Sequence, residues 1–271
     1  VRSNAQKILS LDKHFYGNLC GMIARQIVPL LGAAVATTWG LTASVLPAAA
    51  IPSASAQRCP DTEVVFARGT GEDPGVGPTG QAFVDGLRSR LGNKSMDVYP
   101  VNYPASDQWS TGLDGIRDAD SHIVSMAGSC PNTKMVLGGY SQGAAVMGFV
   151  TSPAVPDSIP DDVDRATLPK PLDPNVASHV AAVVLFGSPN VRAMQFLGQP
   201  QVVIGPQYQS KTIQVCAVED PVCSDGMNFA AHNTYADDGD VIGKGADFAA
   251  SRLQGNGPQV AATAPRQGFG D

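Results

Sequence analysis

The run Gly139-Tyr140-Ser141-Gln142-Gly143 constrains this chain more than any other stretch. An apolar, strand-like segment, Lys134 to Gly138, leads into it, and a helix-like one, Ala144 to Val150, leads out. A serine with glycines two positions either side, at a strand-to-helix junction, is what a G-x-S-x-G nucleophile elbow requires. The backbone bends sharply there, so neighbouring side chains would collide, and glycine removes the collision. The bend lifts the hydroxyl out of the sheet edge, and the start of the helix adds positive potential where negative charge would develop. A glycine-rich turn with an incidental serine is the plain alternative. The strand before and the helix after favour the elbow.

A serine hydroxyl needs a histidine to take its proton. Of the four histidines, His14 precedes an apolar N-terminal stretch, His122 lies in a helix-like segment as a solvated or surface residue, and His179 opens an apolar run as a strand-start residue. His232 lies in the loop-like Asn228 to Thr234, after the last strand signal, where a catalytic base is expected. The third member should be a carboxylate between Ser141 and His232 in the order Ser, Asp or Glu, His. Asp220 is the best candidate, because Cys216 and Cys223 can close a small loop around it. Glu219 is its adjacent competitor, and a turn residue before proline is the plain reading of Asp220. Asp237, Asp238 and Asp240 follow the histidine and fall outside the expected order. The backbone N–H of Gln142 and the loop Arg68-Gly69-Thr70-Gly71, with Thr70 offering N–H and hydroxyl, are the candidate oxyanion donors. One such donor is typically worth roughly 3–4 kcal/mol in the transition state.

Five strand candidates run along the chain: Val64–Ala67, Asp97–Tyr103, Met135–Gly139, Ala181–Phe186 and Thr212–Val215. Helix-like segments at Gly80–Leu91, Gly115–Ala127, Gln142–Val150 and Ile242–Leu253 separate or follow them. Alternation of this kind predicts an α/β fold, a three-layer α/β/α sandwich around a central, mostly parallel five-stranded sheet. Right-handed crossovers then bring the loops carrying Thr70, Ser141, Asp220 and His232 to one edge.

Residues 1–56 read as an export segment outside the fold. Apolar residues dominate from Ile27 to Ile51, and Ala54-Ser55-Ala56 offers a signal-peptidase site that leaves Gln57 as the mature start. An uncleaved membrane anchor is the alternative, since the stretch is long enough to span. The first residue is Val, and Met22 followed by Arg25 would give a signal of ordinary length. Residues 57–254 read as one catalytic domain and 255–271, rich in Gly, Pro and Gln, as a disordered tail. The formal net charge is −6, and residues 1–56 carry four of the basic residues and one of the acidic ones, so the remainder is more acidic still. That balance argues against nucleic acid and against electrostatic attraction to anionic lipid. Four cysteines remain after residue 56: Cys59, Cys130, Cys216 and Cys223. Behind an export signal an even count implies disulfides, with three pairings open. A zinc site is the rival use, but paired C-x2-C spacing is missing and no metal or other cofactor is expected.

Taken together these residues resemble the cutinase family of secreted serine esterases, in particular its mycobacterial branch. Pro131 to Gly143 resembles the nucleophile signature, Ala67-Arg68-Gly69-Thr70 the oxyanion loop, and the Cys216, Asp220 and Cys223 spacing the acid loop, with His232 nine residues after Cys223. The resemblance covers roughly residues 59 to 254. It implies Ser141 as nucleophile, His232 as base, Asp220 as orienter, and Thr70 with Gln142 as oxyanion donors. It also selects the pairs Cys59–Cys130 and Cys216–Cys223, worth roughly 4 and 2.5 kcal/mol in the loop-entropy model. The expected function is hydrolysis of carboxylic esters, cutin-like polyesters, short-to-medium acyl esters or lipids, by a secreted or envelope-associated monomer that contacts lipid surfaces transiently. A carbohydrate acetyl esterase and a non-catalytic lipid-binding or surface protein are the rivals. The Pro- and Asp-rich segment 152–177 is longer than its equivalent in compact fungal members, and a surface loop or a cover for the site are both open.

Overall fold

The computed structural model describes residues 59–159 and 163–255, so the expected export segment 1–56 and the tail beyond residue 255 lie outside the described residues. Five strands form one sheet: β1 (Thr62–Ala67), β2 (Met96–Pro100), β3 (Lys134–Tyr140), β4 (Val180–Phe186) and β5 (Thr212–Val215). Their order is β2-β1-β3-β4-β5, and every pairing is parallel. The helices are α1 (Gly77–Leu91), α2 (Gly112–Ser129), α3 (Gln142–Val150), α4 (Val191–Phe196), α5 (Pro206–Gln209) and α6 (Gly239–Leu253).

Parallel strands covered on both faces carry apolar residues at every position, and alternate ones face opposite cores. In β1, Val64 and Phe66 join a core with Phe83, Leu87, Ile242 and Ala246 of α1 and α6. Val65 and Ala67 join the other core, with Ile123 of α2 and Met147 of α3. β4 divides the same way, sending Val184 and Phe186 to the first core and Val183 and Leu185 to the second. The three-layer α/β/α sandwich expected from the strand-helix alternation is therefore present.

The elements depart from the sequence expectation mainly at their ends. β2 stops at Pro100 and does not continue to Tyr103. Proline brings no N–H to the ladder, and the chain then leaves the sheet edge after Val101 N donates to Phe66 O at 2.9 Å. α1 begins three residues before Gly80, with Pro78 in its first turn. α6 begins at Gly239 because the Asp238 side chain accepts from Asp240 N and Val241 N. The short α4 and α5 were not expected.

Both expected disulfides are present. Cys59–Cys130 ties the approach to β1 to the end of α2, and Cys216–Cys223 closes a small loop after β5. With these sulfurs bonded to one another, the zinc alternative loses its thiolate ligands. At the amino end of the sheet the first disulfide is joined by the Thr133 hydroxyl donating to Pro60 O at 2.6 Å and by Asp61 accepting from Ser95 N and Oγ at 2.8 Å each. α6 ends at this same pole, where Arg252 donates to Ser210 O just before β5.

Asp120 is out of character on α2. Its Oδ1 is buried and has no hydrogen-bond partner among the described residues. Burial alone pushes its carboxyl up to about 7. In the unfolded chain this group titrates near 4. Between those two values the folded state holds a proton that the unfolded state does not, so stability falls as pH rises from about 4 to 7 and stays lower above. Asp120→Asn should flatten that decline, read as Tm against pH from 4 to 8 beside the parent protein. Parallel curves for the two proteins would show that Asp120 does not set the slope.

Candidate active site

β3 ends at Tyr140 and α3 begins at Gln142, leaving Ser141 alone in the turn at φ 55° and ψ −118°. This is one of three non-glycine residues at positive φ among the described residues, and such strain persists only where its surroundings hold it. Ser141 N donates to Phe186 O of β4 at 2.9 Å. The glycines are needed for space. A Cβ on Gly139 would lie 2.3 Å from Gly143 O, and one on Gly143 would lie 2.0 Å from Ala67 O. The second contact shows how tightly the end of β1 abuts the start of α3.

His232 sits in a 3-10 turn, Phe229–Asn233, whose entry is capped by the Asn228 side chain accepting from Ala230 N at 3.1 Å. Its Nε2 lies 2.8 Å from Ser141 Oγ, and its Nδ1 lies 2.8 Å from Asp220 Oδ2. Asp220 is fully buried, whereas its neighbour Glu219 is exposed. Asp220 Oδ1 accepts from Val222 N at 2.9 Å and Oδ2 from the Tyr235 hydroxyl at 2.7 Å. Cys223 Sγ, 3.1 Å from Oδ2, packs against the carboxylate as a disulfide sulfur without a proton to give.

The loop after β1 is fixed by its own network. The buried Arg68 guanidinium donates to Glu72 O at 2.8 Å and to Tyr103 O at 2.5 Å. Gly69 N donates to Glu72 Oε2 at 2.6 Å, and Gly71 N to Ala105 O at 2.7 Å. Burial raises the Glu72 carboxyl against the lowering effect of the Gly69 bond. Thr70 is left exposed at the loop tip. Gln142, as the first residue of α3, has an N–H without an intrahelical acceptor, and its side-chain amide donates to Ser106 O at 2.9 Å.

Of the sequence candidates, Ser141, His232 and Asp220 meet in one hydrogen-bonded chain at the carboxyl edge of the sheet. Thr70 lies on the loop packed beside the elbow, where a Cβ on Gly69 would lie 2.7 Å from the Tyr140 ring. His122 is elsewhere. It is not solvated on a helix surface but pairs with Glu63 at 3.0 Å, at the amino end of β1, and stacks on Tyr99 with centroids 3.4 Å apart. His179 ends a 3-10 turn just before β4. Asp238 caps α6.

Two tyrosines belong to this arrangement that the sequence reading did not single out. Tyr235 is fully buried, and its hydroxyl both donates to Asp220 and accepts from Ala217 N at 2.9 Å. The Tyr140 hydroxyl donates to His232 O, and its ring stacks on the imidazole with centroids 5.3 Å apart. Burial holds both phenols protonated, well above the usual tyrosine range. The only local clue to Tyr235 was its position three residues after the candidate base.

Known proteins share this fold and these segments. The family model for cutinase matches residues 58–253. The probable carboxylesterase Culp5 of Mycobacterium tuberculosis is 56% identical over 171 residues, covering 63% of this chain and 95% of that protein. The phospholipase Culp4 of the same organism is 44% identical over 230 residues, covering 85% and 93%. The structure of Trichoderma reesei cutinase in complex with a C11Y4 phosphonate inhibitor is 32% identical, with a TM-score of 0.54 over 72% of this chain and 77% of that one. A match across the whole described domain, on a fold whose parallel sheet edge gathers a serine, a histidine and a buried aspartate, places the chain in the cutinase family, as a carboxylic ester hydrolase.

Proposed function

We propose that Ser141, His232 and Asp220 act as a catalytic triad that cleaves carboxylic esters through an acyl-enzyme. The single observation that carries this reading is the unbroken chain from Ser141 Oγ to His232 Nε2 and from His232 Nδ1 to Asp220 Oδ2, each link 2.8 Å. His232 takes the serine proton as Oγ attacks the ester carbonyl, then returns it to the departing alkoxide. Asp220 accepts from Nδ1–H, which keeps the Nε2 lone pair facing the serine, and its charge stabilises the imidazolium. Tyr235 and Val222 N hold that carboxylate in place. The N–H groups of Gln142 and Thr70 receive the oxyanion, and water then repeats the sequence on the acyl-enzyme.

The substrate reading follows the rim. Val218 is 86% exposed, Met227 77% and Phe229 70%, on the segment that also carries Asp220 and His232. Exposed apolar side chains clustered beside a site favour contact with lipid or polyester surfaces over a soluble acetylated carbohydrate. The two disulfides fit a protein that works outside the cytosol.

Intact-mass analysis after an alkyl fluorophosphonate, with peptide mapping, tests the nucleophile. One adduct on Ser141 is expected. Labelling at another residue, or none on folded protein with both disulfides formed, overturns the assignment and favours the non-catalytic binding alternative.

A further inference from the structure

A cavity lies between α2, α3 and the segment that follows α3, and it encloses about 830 Å³, its open side included. Ser141, Thr70, Asp220 and His232 are not among its lining residues. Leu113, Ile116 and Asp120 form the α2 wall, at the i, i+3, i+7 spacing of one helical stripe. Gln142, Val146 and Phe149 form the α3 wall on a stripe of the same kind. The segment after α3 roofs the space, with Val155 and Leu168 in the lining. A mostly apolar cavity of this size, with a few polar groups set into it, has the build of a site for a small organic molecule.

Two lining residues carry a buried polar atom with no partner among the described residues: Asp120 Oδ1 and Gln142 Oε1. Gln142 is 1% exposed, and its side-chain NH2 already donates to Ser106 O at 2.9 Å. What each residue leaves unpaired is therefore an oxygen that can accept. None of the ion pairs among the described residues includes Asp120. Lys170, the other charged residue of the lining, is exposed to solvent. A carboxyl set into an apolar wall without a donor costs free energy that a ligand bringing a donor would recover.

We propose that this cavity binds an amphiphilic amine, with its ammonium at Asp120 and its apolar body along the α2 and α3 stripes. An ammonium brings a positive charge and three donors, so it satisfies Oδ1 and neutralises the carboxylate in one contact. A hydroxyl brings one donor and no charge. A carboxylate or phosphate head would face Asp120 with like charge. The net charge of −6 favours the approach of a cation over that of an anion. Gln142 Oε1 offers a second acceptor to a ligand that carries an N–H or O–H farther along its body. The site needs neither Ser141 nor His232, so it stands apart from ester cleavage and does not depend on the triad reading.

The test is a titration of the full chain with octylamine, 1-octanol and octanoate, three probes with one apolar body and different heads. Trp109 lines the cavity and the chain's other tryptophan is Trp39, so Trp109 emission is read in a Trp39→Phe background. At pH 8 the amine is protonated and Asp120 is mostly ionised. Octylamine should shift the emission saturably, with Kd at least tenfold below that of 1-octanol or octanoate. Asp120→Asn, which keeps the size of the side chain, should weaken octylamine at least tenfold and leave 1-octanol within about twofold. Ala154→Phe, on the exposed roof, should weaken octylamine and 1-octanol together, and it keeps the test open should the Asp120 variant fold poorly. Ser141→Ala should bind octylamine as the parent does. No saturable shift with octylamine, equal Kd for amine and alcohol, or an Asp120→Asn protein that folds and binds the amine as tightly as the parent would overturn the proposal. Loss of amine binding in folded Ser141→Ala would place the amine at the triad and overturn it as well.

Discussion

Replacing Ser141 with alanine is expected to lower kcat on any ester by about a millionfold while leaving the thermal transition within a few degrees of the parent. The magnitude follows from removing a nucleophile that works as a unit with its base, where loss of one member costs about as much as loss of all. Because of that coupling, Ser141→Ala combined with His232→Ala should be no slower than Ser141→Ala alone. The unchanged fold follows from the elbow. Ser141 occupies φ 55° through its backbone, held by the Phe186 carbonyl and by the glycines around it. Alanine meets the same steric cost as serine there, and among the described residues the hydroxyl bonds His232 alone. The check is kcat on p-nitrophenyl acetate beside a melting curve. Turnover within tenfold of the parent would remove Ser141 from the chemistry.

Asp220→Asn should be the next most damaging change, lowering kcat about ten-thousandfold. The aspartate is isosteric with asparagine, so the loss would come from hydrogen-bond direction. Three donors converge on the carboxylate: Val222 N, the Tyr235 hydroxyl and His232 Nδ1. An amide has one oxygen to offer them. If its NH2 faces His232, Nδ1 becomes an acceptor and the ring proton moves to Nε2, which then points a proton at Ser141 where a lone pair is required. If its oxygen faces His232, it keeps Tyr235 as well, because both donate to Oδ2, and the Val222 N–H is left facing the NH2, unpaired, at a cost of about 1–3 kcal/mol. A lowered Tm together with the kinetic loss would show the second arrangement, and a kinetic loss alone the first. Full activity would show that Asp220 does not orient the base.

What the sequence exposed was what is local. The elbow needs glycine at two fixed offsets from the serine, because a Cβ at either would strike backbone, and that need is written in five consecutive letters. The strands were visible because a sheet buried on both faces demands unbroken apolar runs. The acid loop was visible because its two cysteines bracket Asp220. The supports were hidden because they reach across the chain. Tyr235 meets Asp220 fifteen residues away, and the Tyr103 carbonyl receives Arg68 from thirty-five away. Nothing near either residue in sequence announces the partner. The strand ends slipped for a related reason: Pro100 stops β2 through its missing N–H, a single-residue effect that an apolar run on both sides conceals. The segment after α3 was ambiguous because its role depends on which face of α3 it covers.

The pole opposite the site has a practical meaning. Both ends of the described domain leave from it, residue 59 beside its disulfide to Cys130 and residue 255 just beyond the end of α6. The strands run away from this pole and deliver Ser141, Asp220 and His232 to the other. A fusion partner, an affinity handle or a solid support joined at either end of the described domain therefore sits behind it and leaves the edge that carries Ser141 and His232 facing outward.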